Sequence, residues 1–213
     1  MSTVKASPDR KELARLTDEQ LVELVAQGDR DAFDEVYERY SKQLYNFVKK
    51  QVQNQEASED ITQEVFLRLF RSATRFDPSR QLSSYLYKIA VNEVRRYYQK
   101  LAGKPVSSLN EPVGDGNDGR ERGDVLAAET SAAEPAAQDR LTTGYLQGLI
   151  DRLPREQKEV VLLKVYRERT FEEIAEIVDA PLSTVLSRMR YAIQKLRRWM
   201  EEQGINEDEL RKD

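Results

Sequence analysis

The chain has 213 residues, with 34 lysines and arginines against 38 aspartates and glutamates, and a formal net charge of −4. It has no cysteine and no histidine, which excludes disulfides, zinc fingers, cysteine nucleophiles and histidine-based acid–base chemistry. No apolar run approaches the ~18 residues of a membrane helix, and residues 1–15 lack the apolar core of a signal peptide. We therefore expect a cytoplasmic protein without membrane insertion and without a cofactor or metal site.

Helical periodicity begins at Thr17, after a polar segment, residues 1–16, that we expect to be frayed. Thr17 and Gln20 match a capping box, and apolar residues at helical spacing follow over about 31–52. Two further helices are predicted before residue 101, and no strand-like alternation appears. The sequence therefore predicts an all-α fold in two helical domains, the first spanning residues 17–101.

The third predicted helix, residues 60–70, has two distinct faces. One is apolar and carries Ile61, Val65 and Leu69. The other is polar and acidic around one leucine, and it consists of Asp60, Gln63, Glu64 and Leu67. A solvated surface or a docking face for a basic partner would each explain this second face, and the residues alone leave both open.

The fourth predicted helix, from Leu82 to Tyr98, has the opposite charge. Its outward residues fall within about a third of the helix circumference; they are Tyr85, Lys88, Asn92, Arg95 and Arg96. Cations attract phosphates, an aromatic ring can stack on a base, and an amide can bond a base edge. Nucleic-acid binding and an ordinary basic surface are both compatible with this face.

Two uninterrupted motifs in these helices carry a family resemblance, EDITQEVFLRLF over 59–70 and YLYKIAVN over 85–92. They resemble region two of the extracytoplasmic-function (ECF, group IV) sigma factors of the sigma-70 family. The resemblance implies that Asp60, Gln63, Glu64 and Leu67 dock on the clamp helices of the polymerase's largest subunit. It also implies that Phe76 and Asn92 hold a flipped base of the minus-ten element. Tyr85, Lys88, Arg95 and Arg96 would support the opened strand.

Residues 102–140 differ in composition from what precedes them, with glycines, prolines and many acidic side chains but few large apolar ones. This composition predicts a flexible, acidic linker. A segment that becomes ordered on a partner is the alternative. The resemblance implies that ordering, because the family's linker runs through the polymerase.

A second helical domain is predicted over residues 141–200. Thr170 and Glu173 form another capping box that opens a helix over 171–178, and a break at 179–181 separates it from a last helix over 182–200. Two helices joined by a short turn predict a helix-turn-helix. We expect the last helix to bury Leu182, Val185, Met189, Ile193 and Leu196. Its outward residues would be Ser183, Thr184, Ser187, Arg188, Tyr191 and Lys195.

Charge distinguishes the two helices of this motif. Between 181 and 198 there are five basic residues and no acidic one, whereas the preceding helix carries Glu172, Glu173 and Glu176. A basic, hydroxyl-rich face suits the major groove, although a solvated helix is the alternative. The segment is similar to region four of the same family, which implies that its outward residues contact the minus-thirty-five element. Ser183 and Leu186 depart from the family, which usually has glycine and a basic residue there.

The resemblance covers both predicted domains in order and implies a monomeric sigma factor that is not itself an enzyme. Such a protein binds core RNA polymerase, directs it to promoter DNA and helps to open the duplex. Members of the family are often held by an anti-sigma protein. One alternative is a helix-turn-helix regulator without polymerase, but it would leave Asp60 and Glu64 without a role. A metal nuclease built on Glu59, Asp60 and Glu64 is disfavoured because these side chains diverge around their helix.

Overall fold

The computed structural model describes residues 10–103 and 137–203, and within these ranges the secondary structure is helical without strands. The predicted all-α class is therefore confirmed. The α-helices are α1 Arg10–Leu13, α2 Asp18–Ala26, α3 Arg30–Val52, α4 Gln55–Ser72, α5 Leu82–Leu101, α6 Ala137–Asp151, α7 Arg155–Arg167, α8 Phe171–Val178 and α9 Leu182–Glu202, with a short 3-10 turn at Ala73–Arg75 after α4. Most of the predicted linker, residues 104–136, lies outside the described ranges.

Side-chain caps determine where several helices begin. The capping box at Thr17 is confirmed, because Gln20 N–H donates to Thr17 Oγ1 at 3.3 Å and Thr17 N–H donates to Gln20 Oε1 at 2.9 Å. The box at Thr170 and Glu173 is confirmed in the same way. Helix α4 begins before the predicted residue 60, because Asn54 caps it by accepting the Ala57 N–H at 2.8 Å.

The first domain consists of α1 to α5, and its core includes Leu21, Leu44, Val65 and Leu86. The expectation that residues 1–16 are frayed is wrong for the part that the structure describes, because Leu13 is buried in this core. Arg39 on α3 donates to the carbonyl oxygens of Leu13, Ala14 and Leu16 at 3.3, 3.1 and 3.0 Å. These bonds fasten the segment after α1 to the domain.

The second domain consists of α6 to α9, and it corrects the predicted core stripe of α9. Val185 is buried and Met189 and Leu196 pack against the core as expected. However, Leu182 is 38% exposed and Ile193 is 37% exposed, whereas Ala192 is fully buried. The buried stripe continues from Met189 to Ala192 because a small side chain suits the close packing of α9 on α7. Ile193 therefore lies beside the buried stripe and not within it.

The two domains pack against each other, with α8 lying against α5 and α7 against α3. This arrangement brings the helix-turn-helix next to the basic face of α5. Among residues 10–103 and 137–203, no helix is long and apolar enough to cross a membrane.

Candidate functional site

The acidic face of α4 points away from the core, because Ile61, Val65 and Leu69 on the same helix are buried. Of the four residues predicted on this face, Asp60, Gln63 and Leu67 are exposed, and Leu67 is 47% exposed. Glu64 is half-buried and forms an ion pair of 2.9 Å with Arg68. The structure therefore keeps the predicted docking residues together on one surface.

Phe70 belongs to this surface, although it is not among the predicted docking residues. Its side chain is 52% exposed and follows Leu67 by three residues on α4. The spacing that groups Asp60, Gln63 and Leu67 extends to Phe70, so the sequence contained this signal. The ring of Phe70 meets that of Phe33 on α3 edge-on, with 5.7 Å between centroids. This surface therefore combines carboxylates with one exposed and one half-buried aromatic ring, which suits a partner with both basic and apolar groups.

Phe76 and Tyr85 lie together between α4 and α5. Their ring centroids are 5.4 Å apart, and the Tyr85 hydroxyl is 2.8 Å from the hydroxyl of Ser72. In the turn after Phe76, Asp77 accepts hydrogen bonds from the backbone and the hydroxyl of Ser79, which lower the pKa of its carboxyl. Phe76 packs partly on the core. Asn92 is half-buried on α5, about two turns after Tyr85.

The predicted DNA-binding cations of α5 are engaged within the chain. Arg95 Nη2 lies 2.9 Å from Glu159 Oε2 of α7, and Lys88 Nζ lies 3.5 Å from Asp179 Oδ1 after α8. Arg96 Nη1 lies 3.5 Å from Glu93 of its own helix. Carboxylates of the second domain therefore occupy two cations that the sequence assigns to promoter DNA.

Other contacts between the domains surround these ion pairs. Arg167 donates to the carbonyl oxygen of Gln43 at 2.6 Å, and Arg169 donates to Gln81 Oε1 at 3.3 Å. The guanidinium groups of both arginines lie 5.7 Å from the ring centroid of Tyr87. Burial in this interface lowers the pKa of Lys50, whose Nζ lies 4.3 Å from the ring centroid of Tyr166. The interface is polar and rich in arginine.

The turn between α8 and α9 gives the helix-turn-helix its geometry. Asp179 has a left-handed φ of 55°, and the N–H of Ala180 donates to the Ala175 carbonyl oxygen at 3.1 Å. Pro181 then precedes α9. These features end α8 and start a new helix at Leu182.

The six predicted contact residues of α9 differ in accessibility. Ser183, Tyr191 and Lys195 are exposed, and Thr184 and Ser187 are half-buried. Arg188 is drawn to the side by Glu156 of α7, with 2.9 Å between Nη2 and Oε2. Arg190 is not among the predicted contact residues, yet it is exposed, with its guanidinium 5.2 Å from the Tyr191 ring centroid.

The described residues contain no group of three or more histidine, cysteine or acidic side chains placed to hold a metal ion. Glu59 instead accepts a hydrogen bond from Gln55, and Glu64 pairs with Arg68. Two of the three carboxylates considered for a nuclease therefore serve separate local contacts.

Sequence comparison identifies both halves of the chain. Residues 36–103 match the family described as Sigma-70 region 2, and residues 149–198 match Sigma-70, region 4. The chain is 30% identical over 178 residues to the ECF RNA polymerase sigma factor SigW of Bacillus subtilis, covering 83% of this chain and 93% of that protein. It is 30% identical over 175 residues to the ECF RNA polymerase sigma-E factor of Escherichia coli K12, covering 82% and 90%.

Solved structures share the fold. CnrH in complex with the cytosolic domain of CnrY aligns with a TM-score of 0.61 at 18% identity, covering 87% of this chain and 97% of that one. The sigma factor RpoE in complex with the anti-sigma factor NepR from Bartonella quintana aligns with a TM-score of 0.59 at 16% identity, covering 79% and 96%.

The two helical domains and the family matches together define a promoter-specificity factor of bacterial transcription. The chain belongs to the sigma-70 family, in its ECF group. It binds core RNA polymerase and directs promoter-specific initiation of transcription. Proteins of this family are initiation factors and not enzymes.

Proposed function

We propose that the exposed face of α4 is where this sigma factor docks on core RNA polymerase. The observation that carries this proposal is the exposure of Leu67 and Phe70 on the same face of α4 as Asp60, about two and three turns further along a helix whose other side is buried. Exposed apolar side chains next to carboxylates suit a surface with arginines or lysines around an apolar centre. A helix-turn-helix regulator without polymerase would have no use for this face.

We further propose that the two domains divide promoter recognition, with residues 17–101 acting on the minus-ten element and residues 141–200 on the minus-thirty-five element. Phe76, Tyr85 and Asn92 would receive a flipped base, which needs stacking and hydrogen bonds to offset its loss from the duplex. Lys88, Arg95 and Arg96 would neutralise the phosphates of the opened strand.

The contacts between the domains require a change of arrangement for this role. Lys88 and Arg95 cannot hold phosphates while Asp179 and Glu159 occupy them. We propose that α7 and α8 leave α5 when the chain binds polymerase and promoter, and that residues 102–140 span the separated domains. The packed arrangement would then be the form of the free protein.

The partners, core polymerase and promoter DNA, determine where in the cell this protein acts. We propose that the protein acts as a monomer in the cytoplasm, where polymerase and chromosome are found. The solved relatives CnrH and RpoE are each complexed with a second protein. We propose that an anti-sigma protein can hold this chain as well, by stabilising the packed arrangement of the two domains.

Run-off transcription with purified core polymerase on fragments of the source genome tests the proposal. We expect the full chain to yield specific transcripts, and we expect Leu67→Ala combined with Phe70→Ala to abolish both transcripts and co-elution with polymerase. Both side chains are exposed, so helix content by circular dichroism should not change. If the double variant co-elutes and transcribes normally, α4 is not the docking face.

A further inference from the structure

Leu186 lies beside the buried stripe of α9, in line with Ile193 two turns further on, and is 45% exposed. The residues three before it and four after it on the same face, Ser183 and Arg190, are exposed as well. The neighbouring Val185 occupies the core position and is fully buried. Leu186 is therefore not required for the packing of α9 against its own domain.

The position of Leu186 in the helix-turn-helix places it where DNA is contacted. In this motif the N-terminal part of the second helix presents its side chains to base edges in the major groove. Helix α9 begins at Leu182, so Leu186 lies within its first two turns. Arg190 and Lys195 on the same helix are exposed cations that can attract phosphates on either side.

The chemistry of leucine limits what it can recognise in that groove. The edges of the base pairs present hydrogen-bond donors and acceptors and one prominent apolar group, the C5-methyl of thymine. A leucine side chain has no hydrogen-bonding atom. Placed over a cytosine amino group or a purine N7, it would remove that group from water without giving it a partner, which is unfavourable. Placed over a thymine methyl, it buries apolar surface on both sides.

We propose that Leu186 is a specificity-determining residue of this protein, and that it selects a thymine in the minus-thirty-five element through contact with the C5-methyl. The inference rests on the proposed assignment of α9 to that element. It predicts a preference that arises both from attraction to the methyl and from exclusion of polar base edges.

The test uses holoenzyme reconstituted from the full chain and core polymerase. Duplexes randomised in the minus-thirty-five region are selected with the wild type, Leu186→Ala and Ile193→Ala. We expect a thymine preference at one position that disappears with Leu186→Ala alone. Ile193→Ala is the matched control, because Ile193 is also an exposed apolar residue of α9 but lies about two turns further along it.

A second measurement isolates the methyl group. Replacing the selected thymine with uracil removes the methyl and leaves every hydrogen-bonding atom in place. We expect this change to weaken wild-type binding roughly fourfold, the factor for one buried methyl group. Leu186→Ala should bind the thymine and uracil duplexes equally, and Ile193→Ala should behave like the wild type.

Two results would overturn the proposal. One is a thymine preference and a uracil effect that persist in Leu186→Ala. If this variant also co-elutes more weakly with polymerase, Leu186 contacts protein instead. The other is the absence of any minus-thirty-five preference in all three proteins. That result would refute the assignment of α9 itself, while the run-off and co-elution experiments on α4 would still stand.

Discussion

Arg95 of α5 and Glu159 of α7 form an ion pair of 2.9 Å across the domain interface, and the Glu159 side chain is fully buried. Arg155 approaches the same carboxylate at 3.8 Å. Removing one member of a buried ion pair is unfavourable, because the other charge stays away from water without a partner. The pair therefore links the packing of the domains to the availability of a residue assigned to promoter DNA.

Neutralising Glu159 should loosen this packing. Glu159→Gln keeps the shape of the side chain but leaves Arg95 without its counter-charge. We expect the free full-length protein to bind a single-stranded minus-ten oligonucleotide about three- to tenfold more tightly, a change of ~1 kcal/mol, by fluorescence anisotropy. Glu156→Gln is the matched control, since Glu156 is on the same helix but pairs with Arg188 of α9. Equal affinity of Glu159→Gln and the control would contradict the link.

Charge reversal on α4 tests polymerase docking, with Glu59 as the control position next to Asp60. Asp60 and Glu59 are both exposed, but they lie about 100° apart around the helix. We expect Asp60→Lys combined with Glu64→Lys to abolish pull-down of core polymerase, because the charges would then repel a basic partner. Glu59→Lys should be tolerated. A double variant that keeps its helix content and still pulls down polymerase would remove the docking hypothesis.

The pair Phe76 and Asn92 is predicted to act in promoter opening. Phe76→Ala with Asn92→Ala should leave polymerase binding and duplex minus-thirty-five binding nearly intact and sharply reduce permanganate reactivity of the minus-ten region. Because Phe76 is only partly buried, its removal should cost less stability than the ~3–5 kcal/mol typical of a core phenylalanine. A large drop in melting temperature with loss of every activity would show that Phe76 is only a core residue.

Tyr87, which is buried, and Tyr98, which is half-buried, allow a matched test of stability. The Tyr87 hydroxyl has no hydrogen-bond partner within the described residues, whereas the Tyr98 hydroxyl donates to the Gln51 carbonyl oxygen at 2.8 Å. At pH 7, we expect Tyr98→Phe to lower the free energy of unfolding by about 1 kcal/mol and Tyr87→Phe to leave it unchanged or raise it. Urea denaturation followed by circular dichroism measures both. Equal losses would contradict the difference in hydrogen bonding.

The same two tyrosines predict a loss of stability in alkali. Burial raises the pKa of both hydroxyls above the ordinary value of tyrosine, about 10. A group whose pKa is raised on folding contributes stability fully below the pKa of the unfolded state and loses it as the pH rises through the folded value. The free energy of unfolding should therefore fall above about pH 10. Each Tyr→Phe variant should flatten this fall, and an unchanged slope would contradict the assignment.

Local sequence patterns were sufficient for the helix class and for the caps at Thr17 and Thr170, because a capping box joins residues three positions apart. The same is true of the acidic face of α4, since its residues recur at helical spacing. Leu13 and Ile193 could not be placed in this way. Whether each is buried depends on what its segment packs against. Leu13 lies in a short polar segment and Ile193 follows an alanine, so the local pattern does not indicate the packing partner of either residue.

The contacts of α5 were beyond prediction for a related reason. Arg95 and Glu159 are 64 residues apart in the chain, and neither the periodicity of α5 nor that of α7 indicates that they meet. The sequence therefore identified the basic residues but not the carboxylates that occupy them.

The packed domains belong to one polypeptide, so their contact forms in a unimolecular step. Joining two modules by a chain sets an effective concentration on the order of millimolar. The ion pairs, hydrogen bonds and cation–π contacts of this interface therefore form more readily within one chain than they would between two separate proteins. A single proteolytic cut between residues 103 and 137 would remove this advantage, and we expect it to expose the basic face of α5 without altering one side chain of either domain.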